Sequence, residues 1–255
     1  MAKPYYWSML LLRCYTAASA SFALHGPTKI WQTVPVATCR RPSSTGGGGH
    51  TNHESHSSSD DVPPLRYLGD AQLMQRQPIF DSNHIAECVD DLEILRRAME
   101  KYGGIGIAAP QIGWWTRVFC FGIAGNNPRY PQAQEIPFSF WINPEMVVVG
   151  KETNWMWEGC LSVPGMRGWV ERPARIILKG YNERGEWREE SMGGLAARVA
   201  QHEYDHLDGI LFPQKVPNAS FLVPQASMDA RDGWGDNWPS PGSCKTKLGE
   251  LSDEK

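Results

Sequence analysis

Apolar residues recur at intervals of three and four between positions 84 and 102, where Ile85, Val89, Leu92, Leu95 and Met99 form one stripe of a helix. Asp81, Ser82 and Asn83 offer side-chain acceptors to its first turn, and Gly103 can end it. The pattern then shortens. Arg117 to Ile123, Trp141 to Val149 and Trp169 to Tyr181 have strand character, and the turn Asn182-Glu183-Arg184-Gly185 gives the last of them a hairpin partner. Helical spacing returns from about Met192 to Asp208, with Leu195, Val199, His202 and His206 on one face and Gly209 placed to stop it. One helix, several antiparallel strands and a second helix predict a single α+β domain.

Outside that domain the periodicity fails. Ser43 to Asp61 is a Ser/Gly/His linker with four consecutive glycines, too polar to build a core. His50, His53 and His56 recur in it every third residue, as expected of a solvated linker, and no function is assigned to them. Asp229 to Lys255 mixes Gly, Pro, Trp and charges without a period, which predicts an irregular tail whose Trp234 and Trp238 can pack back onto the domain. The expected division is a leader and linker over 1–62, a catalytic domain over 63–228 and the tail over 229–255, with no internal repeat.

Composition narrows the class. The 255 residues are 41% hydrophobic and 21% charged, and no apolar run approaches the roughly 20 residues that span a bilayer, so no membrane span is expected. A net charge of -3 gives no general attraction for nucleic acid, and no nucleic-acid site is evident. Six scattered cysteines without a CxxC pair predict a reduced compartment rather than a secreted disulfide framework. Charge distribution adds more than the total does. The first 53 residues hold Lys3, Arg13, Lys29, Arg40 and Arg41 and no acid, which leaves 20 basic and 28 acidic residues for the remainder. A basic, Ser/Thr-bearing start before an acidic body is the composition of an organelle transit peptide; the mitochondrial matrix is the expected location, with a plastid as the alternative. A secretory signal would use Lys3 and the run from Tyr5 to Leu12, but Arg13 interrupts it.

The candidate chemistry begins on the second helix. Gln201-His202-Glu203-Tyr204-Asp205-His206 contains H-E-x-x-H, whose two imidazoles stand about 6 Å apart along one helical face and can grip one metal ion. Because both continue the Leu195/Val199 stripe they point inward, where two histidines and an acid need a compensating partner. Glu203 is placed to take a proton from water activated by such an ion. Asp205, Asp208 and Cys160 are the candidates for a third ligand. Asp205 faces another side of the helix, whereas Cys160 lies in a glycine-containing turn, Trp157-Glu158-Gly159-Cys160-Leu161-Ser162. A third segment, Gly104-Ile105-Gly106-Ile107-Ala108-Ala109-Pro110-Gln111, superficially offers a dinucleotide fingerprint, but a helix precedes it and Pro110 obstructs one after it. It reads better as a backbone-rich loop whose Gln111 can donate to a developing oxyanion.

These three segments, GIGIAAPQ at 104–111, EGCLS at 158–162 and QHEYDH at 201–206, occur in the order found in the peptide deformylases, and over about residues 63–216 the sequence resembles that family. Ile142-Asn143-Pro144-Glu145 is a further family-like segment. The resemblance implies antiparallel strands around a central metal-binding helix. It also implies Cys160, His202 and His206 as ligands of one divalent ion, Fe(II) or Zn(II), with Glu203 as acid/base and Gln111 and the Leu161 N–H on the oxyanion. The implied substrate is the N-formyl-methionyl start of a nascent peptide, which suggests transient proximity to ribosomes. Gly104, Ile105, Gly106, Gly159, Arg167 and Val199 would contact the peptide, with Ile105, Val199 and His202 around the methionine side chain. Two other readings are a metallopeptidase, disfavoured because no histidine follows His206 to serve as a downstream ligand, and a catalytically silent binding relative, disfavoured because no functional position is lost.

Overall fold

A computed structural model of the chain describes residues 62–127, 130–131 and 133–253; the leader and most of the linker lie outside the described residues. The first predicted helix is present in two parts, a 3-10 stretch at Ser82–Cys88 and helix α1 at Val89–Lys101. Asp81 caps the first part by accepting from the Asn83 N–H at 3.0 Å. The change of winding between the two parts shifts the apolar stripe. Cys88 is buried, while Val89, expected on the core face, is 55% exposed. Leu92, Ile94, Leu95, Ala98 and Met99 carry the buried face of α1. Gly103, at φ 67°, ends the helix, with Gly104 N–H bonded to Met99 O at 2.9 Å and Gly103 N–H to Glu100 O at 3.1 Å.

Among the described residues, eight strands follow in two sheets. Strands β1 (Gly106–Ala108), β2 (Val118–Ile123), β3 (Ile136–Val148), β6 (Arg175–Tyr181) and β7 (Trp187–Gly193) form a five-stranded sheet in the order β1-β2-β3-β6-β7. Strands β4 (Thr153–Cys160), β5 (Val163–Pro173) and β8 (Leu222–Pro224) form a second sheet, and the pairings in both are antiparallel. The single strand expected over 169–181 is divided: β5 ends at Pro173 and β6 begins in the other sheet at Arg175. Pro173 has no N–H with which to extend a ladder, and the Ala174 N–H turns instead to Glu152 O at 2.8 Å. The hairpin at 182–185 joins β6 to β7 as the turn residues predict. Strand β4 is a new element relative to the sequence reading. Its buried and exposed positions do not alternate, because Trp155, Met156 and Trp157 are all at least partly covered.

Helix α2 (Gly194–Leu207) lies between the sheets. Ala197, Val199, Ala200 and Leu207 pack with Phe119, Phe121, Trp141, Ile176 and Leu178 of the larger sheet. On the other side the buried Arg198 donates to Val170 O at 2.9 Å and Asn154 O at 2.7 Å, both in the smaller sheet. Arg117 holds the C-terminal end through Leu207 O and Asp208, where cations complement the helix dipole. The predicted α+β class with a central second helix is therefore the observed one. After the short helix α3 (Gln225–Asp229), the tail crosses the smaller sheet. Ser252 exchanges two 2.7 Å backbone bonds with Trp155, and Ser243 O accepts from the Trp157 indole at 2.8 Å. Trp234 packs against Trp157, and the 40% exposed Trp238 packs on Trp234. Among the described residues, no helix is long and apolar enough to cross a membrane.

Candidate metal centre and cleft

The three ligand candidates come from two elements. His202 and His206 project from α2, with ring centroids 5.2 Å apart, and Cys160 ends β4 where the hairpin to β5 turns through Leu161 and Ser162. One ligand atom from each lies within 4.8 Å of the others. Cys160 Sγ is 3.3 Å from His206 Nε2. Of the other candidates for the third position, Asp205 accepts instead from Arg172 at 2.7 Å and Asp208 from Arg117 at 2.7 Å.

A soft thiolate with two imidazoles is a donor set suited to a divalent transition metal. The polar atoms around it fit such an ion. Burial, joined by His202 and Arg172, pushes the His206 imidazole well below its ordinary pKa, so it is neutral as a ligand must be. His206 Nδ1 and Glu203 Oε2 are buried without a hydrogen-bond partner among the described residues. Burial opposes charge on His202, yet Cys160 and Glu158 outweigh it and hold that imidazole well above its ordinary value.

Behind the ligands runs a buried ion network that sequence reading missed. Glu158 receives His202 Nδ1 at 2.9 Å, Arg172 through two bonds of 2.6 and 2.9 Å, and Arg198 at 2.9 Å. Burial alone would push the Glu158 carboxyl up, but Arg172 and then His202 overcome that and hold it well below the usual range. An ionised Glu158 bonded to Nδ1 leaves Nε2 of His202 for the centre and fixes the ring. The signal available in the sequence was Glu158 itself, the first residue of the EGCLS segment.

Glu203 is buried beside the histidines. Burial pushes its pKa up to about 7, with His202 and Arg172 opposing the shift. A group near that value can both take and return a proton at neutral pH. Gly106 makes room for it, since a Cβ there would come within 2.5 Å of Glu203 Oε1. Gln111 belongs to a 3-10 turn after β1. Its Oε1 accepts from the Ala108 N–H at 2.8 Å, which aims Nε2 at Ser162 Oγ, 3.1 Å away, and at Cys160 Sγ, 3.6 Å away. That amide is a pre-aimed donor at the edge of the centre.

A cleft of about 570 Å³ opens onto these groups. Gln111, Cys160, Leu161, His202 and Glu203 line it, and so do Gly104, Ile105, Gly106, Gly159, Arg167 and Val199, the residues expected to contact a peptide. His206 lies behind them, 1% exposed. A candidate cation centre, a buried carboxyl of neutral-range pKa and fixed donors in one partly apolar cleft form an arrangement suited to hydrolysing an amide.

Residues 64–221 match the family described as polypeptide deformylase. Peptide deformylase 1 of Prochlorococcus marinus is 44% identical over 161 residues, 63% of this chain and 84% of the relative. Peptide deformylase 1 of Nitrosomonas europaea is 39% identical over 155 residues, 61% and 88% of the two chains. Among solved structures, the Met-Ala-Ser-bound class I type b peptide deformylase of Acinetobacter baumannii superposes with a TM-score of 0.58 at 35% identity, over 61% of this chain and 98% of that one. The actinonin complex of a peptide deformylase from Synechococcus elongatus gives 0.55 at 33% identity, over 62% and 82%.

Proposed function

The chain belongs to the polypeptide deformylase family, metal-dependent hydrolases that take the formyl group from N-terminal methionine, and we propose that it does so with Cys160, His202, His206, Glu203, Gln111 and Leu161. The observation that carries this assignment is the convergence of one thiol and two imidazole atoms within 4.8 Å, beside a buried Glu203 oxygen that has no partner among the described residues.

Cys160, His202 and His206 would hold one divalent ion, Fe(II) or Zn(II), which when bound would supply Lewis acidity toward carbonyl and water oxygens. The Cys160 thiolate donates charge and weakens that acidity, which raises the importance of a positioned base. Glu203 takes a proton from the attacking water, and then delivers it to the methionine nitrogen as the C–N bond breaks. Formate and a free amine leave. Gln111 Nε2 and the Leu161 N–H donate to the formyl oxygen as it gains negative charge. Ile105, Val199 and His202 surround the methionine side chain, while Gly104, Gly106, Gly159 and Arg167 flank the peptide.

The acid-free first 53 residues support delivery to the mitochondrial matrix, where newly made formylated chains would bring the enzyme transiently near ribosomes. The test of the activity is anaerobic purification, with metal analysis and a formate-release assay on formyl-Met-Ala-Ser made on one sample. One ion per chain and turnover are expected. Full metal without formate would identify a silent binding relative instead.

A further inference from the structure

A second cavity, of about 980 Å³, lies beside the cleft. Phe121, Met192 and Leu195 wall it on one side, and Leu248 and Gly249 of the tail, which lies beyond the family match at 64–221, wall it on another. Among the described residues, Tyr130 alone lines both the cleft and this cavity. The two spaces adjoin where the methionine side chain is placed. Leu195 stands one helical turn before Val199, and Ile105 O accepts from the Gly122 N–H at 2.9 Å, next to Phe121. Ile105, Phe121, Leu195 and Val199 pack in one cluster. Tyr130 therefore stands where the methionine pocket would otherwise run on into the second cavity.

Two turns hold the ring there. Tyr130 N–H donates to Asn127 O at 3.1 Å and Ala133 N–H to Tyr130 O at 3.0 Å, which ties its backbone down between β2 and β3. In the tail, Glu250 N–H donates to Lys247 O and Lys247 N–H to the Glu250 carboxylate, each at 3.1 Å. Gly249 takes the third position of that turn at φ 86°, a conformation that favours glycine. Space requires glycine as well, since a Cβ would fall on the Tyr130 ring. The turn is itself anchored, because Leu248 packs with Trp157 and Trp169 while Ser252 bonds to Trp155. We propose that Tyr130, backed by Gly249, is the end wall of the methionine pocket and a specificity-determining residue that excludes side chains longer than methionine at the formylated position. The inference rests on the reading of the cleft as a site for formyl-methionyl peptides, and it makes the tail part of substrate selection.

The test uses the full chain, with metal content measured for every variant. Formyl-Met-Ala-Ser is compared with peptides in which methionine is replaced by 2-aminodecanoic acid, whose straight side chain is twice as long, or by 2-aminobutyric acid, whose side chain is half as long. Wild-type protein should prefer the Met peptide to the long one by about 100-fold in kcat/KM, the cost of overfilling a closed pocket. Tyr130→Ala should open the wall and reduce that preference at least about 10-fold with metal retained, whereas Tyr130→Phe should keep it. Gly249 lines the second cavity, so the methyl of Gly249→Ala pushes the ring toward the cleft. That variant should raise KM for the Met peptide about 10-fold, with kcat changed by less than about twofold and KM for the short peptide unchanged. In a Tyr130→Ala background the same change should add nothing, because the glycine acts through the ring. A Tyr130→Ala protein with the wild-type preference, or a Tyr130→Phe protein that loses it, would overturn the proposal, and this pair decides the matter if the Gly249 variant fails to fold. A Gly249→Ala effect that persists without the Tyr130 ring, or that falls equally on the short peptide, would also overturn it. Absence of formate release from metal-loaded wild-type protein on all three peptides would instead overturn the reading of the site.

Discussion

A carboxylate taken out of water remains ionised only where cations and hydrogen-bond donors surround it, and Glu158 has Arg172, Arg198 and His202. Its bond to His202 Nδ1 transmits that charge to the metal centre. Glu158→Gln keeps the shape but removes the charge, so metal affinity should fall about 10- to 100-fold in a competitive chelator titration, the usual cost of losing a group that orients a ligand. Unchanged affinity would confine Glu158 to a folding role. The two histidines proposed as ligands were legible as a pair because H-E-x-x-H is local, with both imidazoles on one helical stripe. The network was not. Arg172 is 14 residues from Glu158, and Arg198 and His202 are 40 and 44, so only the hairpin β4–β5 and the approach of α2 bring them together.

At the scale of elements, helical periodicity identified α1 and α2 but could not register the turn of 3-10 helix that precedes α1. That turn moves Val89 off the core face while Leu95 stays fully buried. Leu95→Ala should therefore cost about 2–5 kcal/mol in denaturant unfolding, as large-to-small core changes do, whereas Val89→Ala should fall within about 0.5 kcal/mol of wild type. Equal losses would mean that the helix keeps the simple 3.6-residue phase from Ile85 onward. The sheets were less legible than the helices. Ala174 alone separates β5, which ends at Pro173, from β6 inside one run of strand-forming residues, and a local pattern carries no mark of which sheet each half joins. Strand β4 was obscured because Met156 and its flanking tryptophans are covered on both faces, by α2 and its network on one and by the tail on the other.

For the molecule as a whole, the three proposed ligands lie within the described residues, and each is held by α2 or by the β4–β5 hairpin. The leader should accordingly be dispensable for catalysis. A chain beginning at Val62 should deformylate formyl-Met-Ala-Ser at the rate of the full-length protein, while only the full-length leader should carry a reporter into mitochondria; lost activity on truncation, or secretion of the reporter, would refute this division. The tail is different, since Ser243 and Ser252 bond to the tryptophans of β4 and so belong to the folded body. The central claim is that an ion held by Cys160, His202 and His206 works with Glu203 as its proton carrier. Its most direct measurement is formate released per bound metal ion, for anaerobically purified wild type and Glu203→Gln side by side. One ion per chain in both, with turnover about 10² to 10⁴ lower in the variant, is the predicted result. A Glu203→Gln protein that binds its ion and turns over at the wild-type rate would contradict the account.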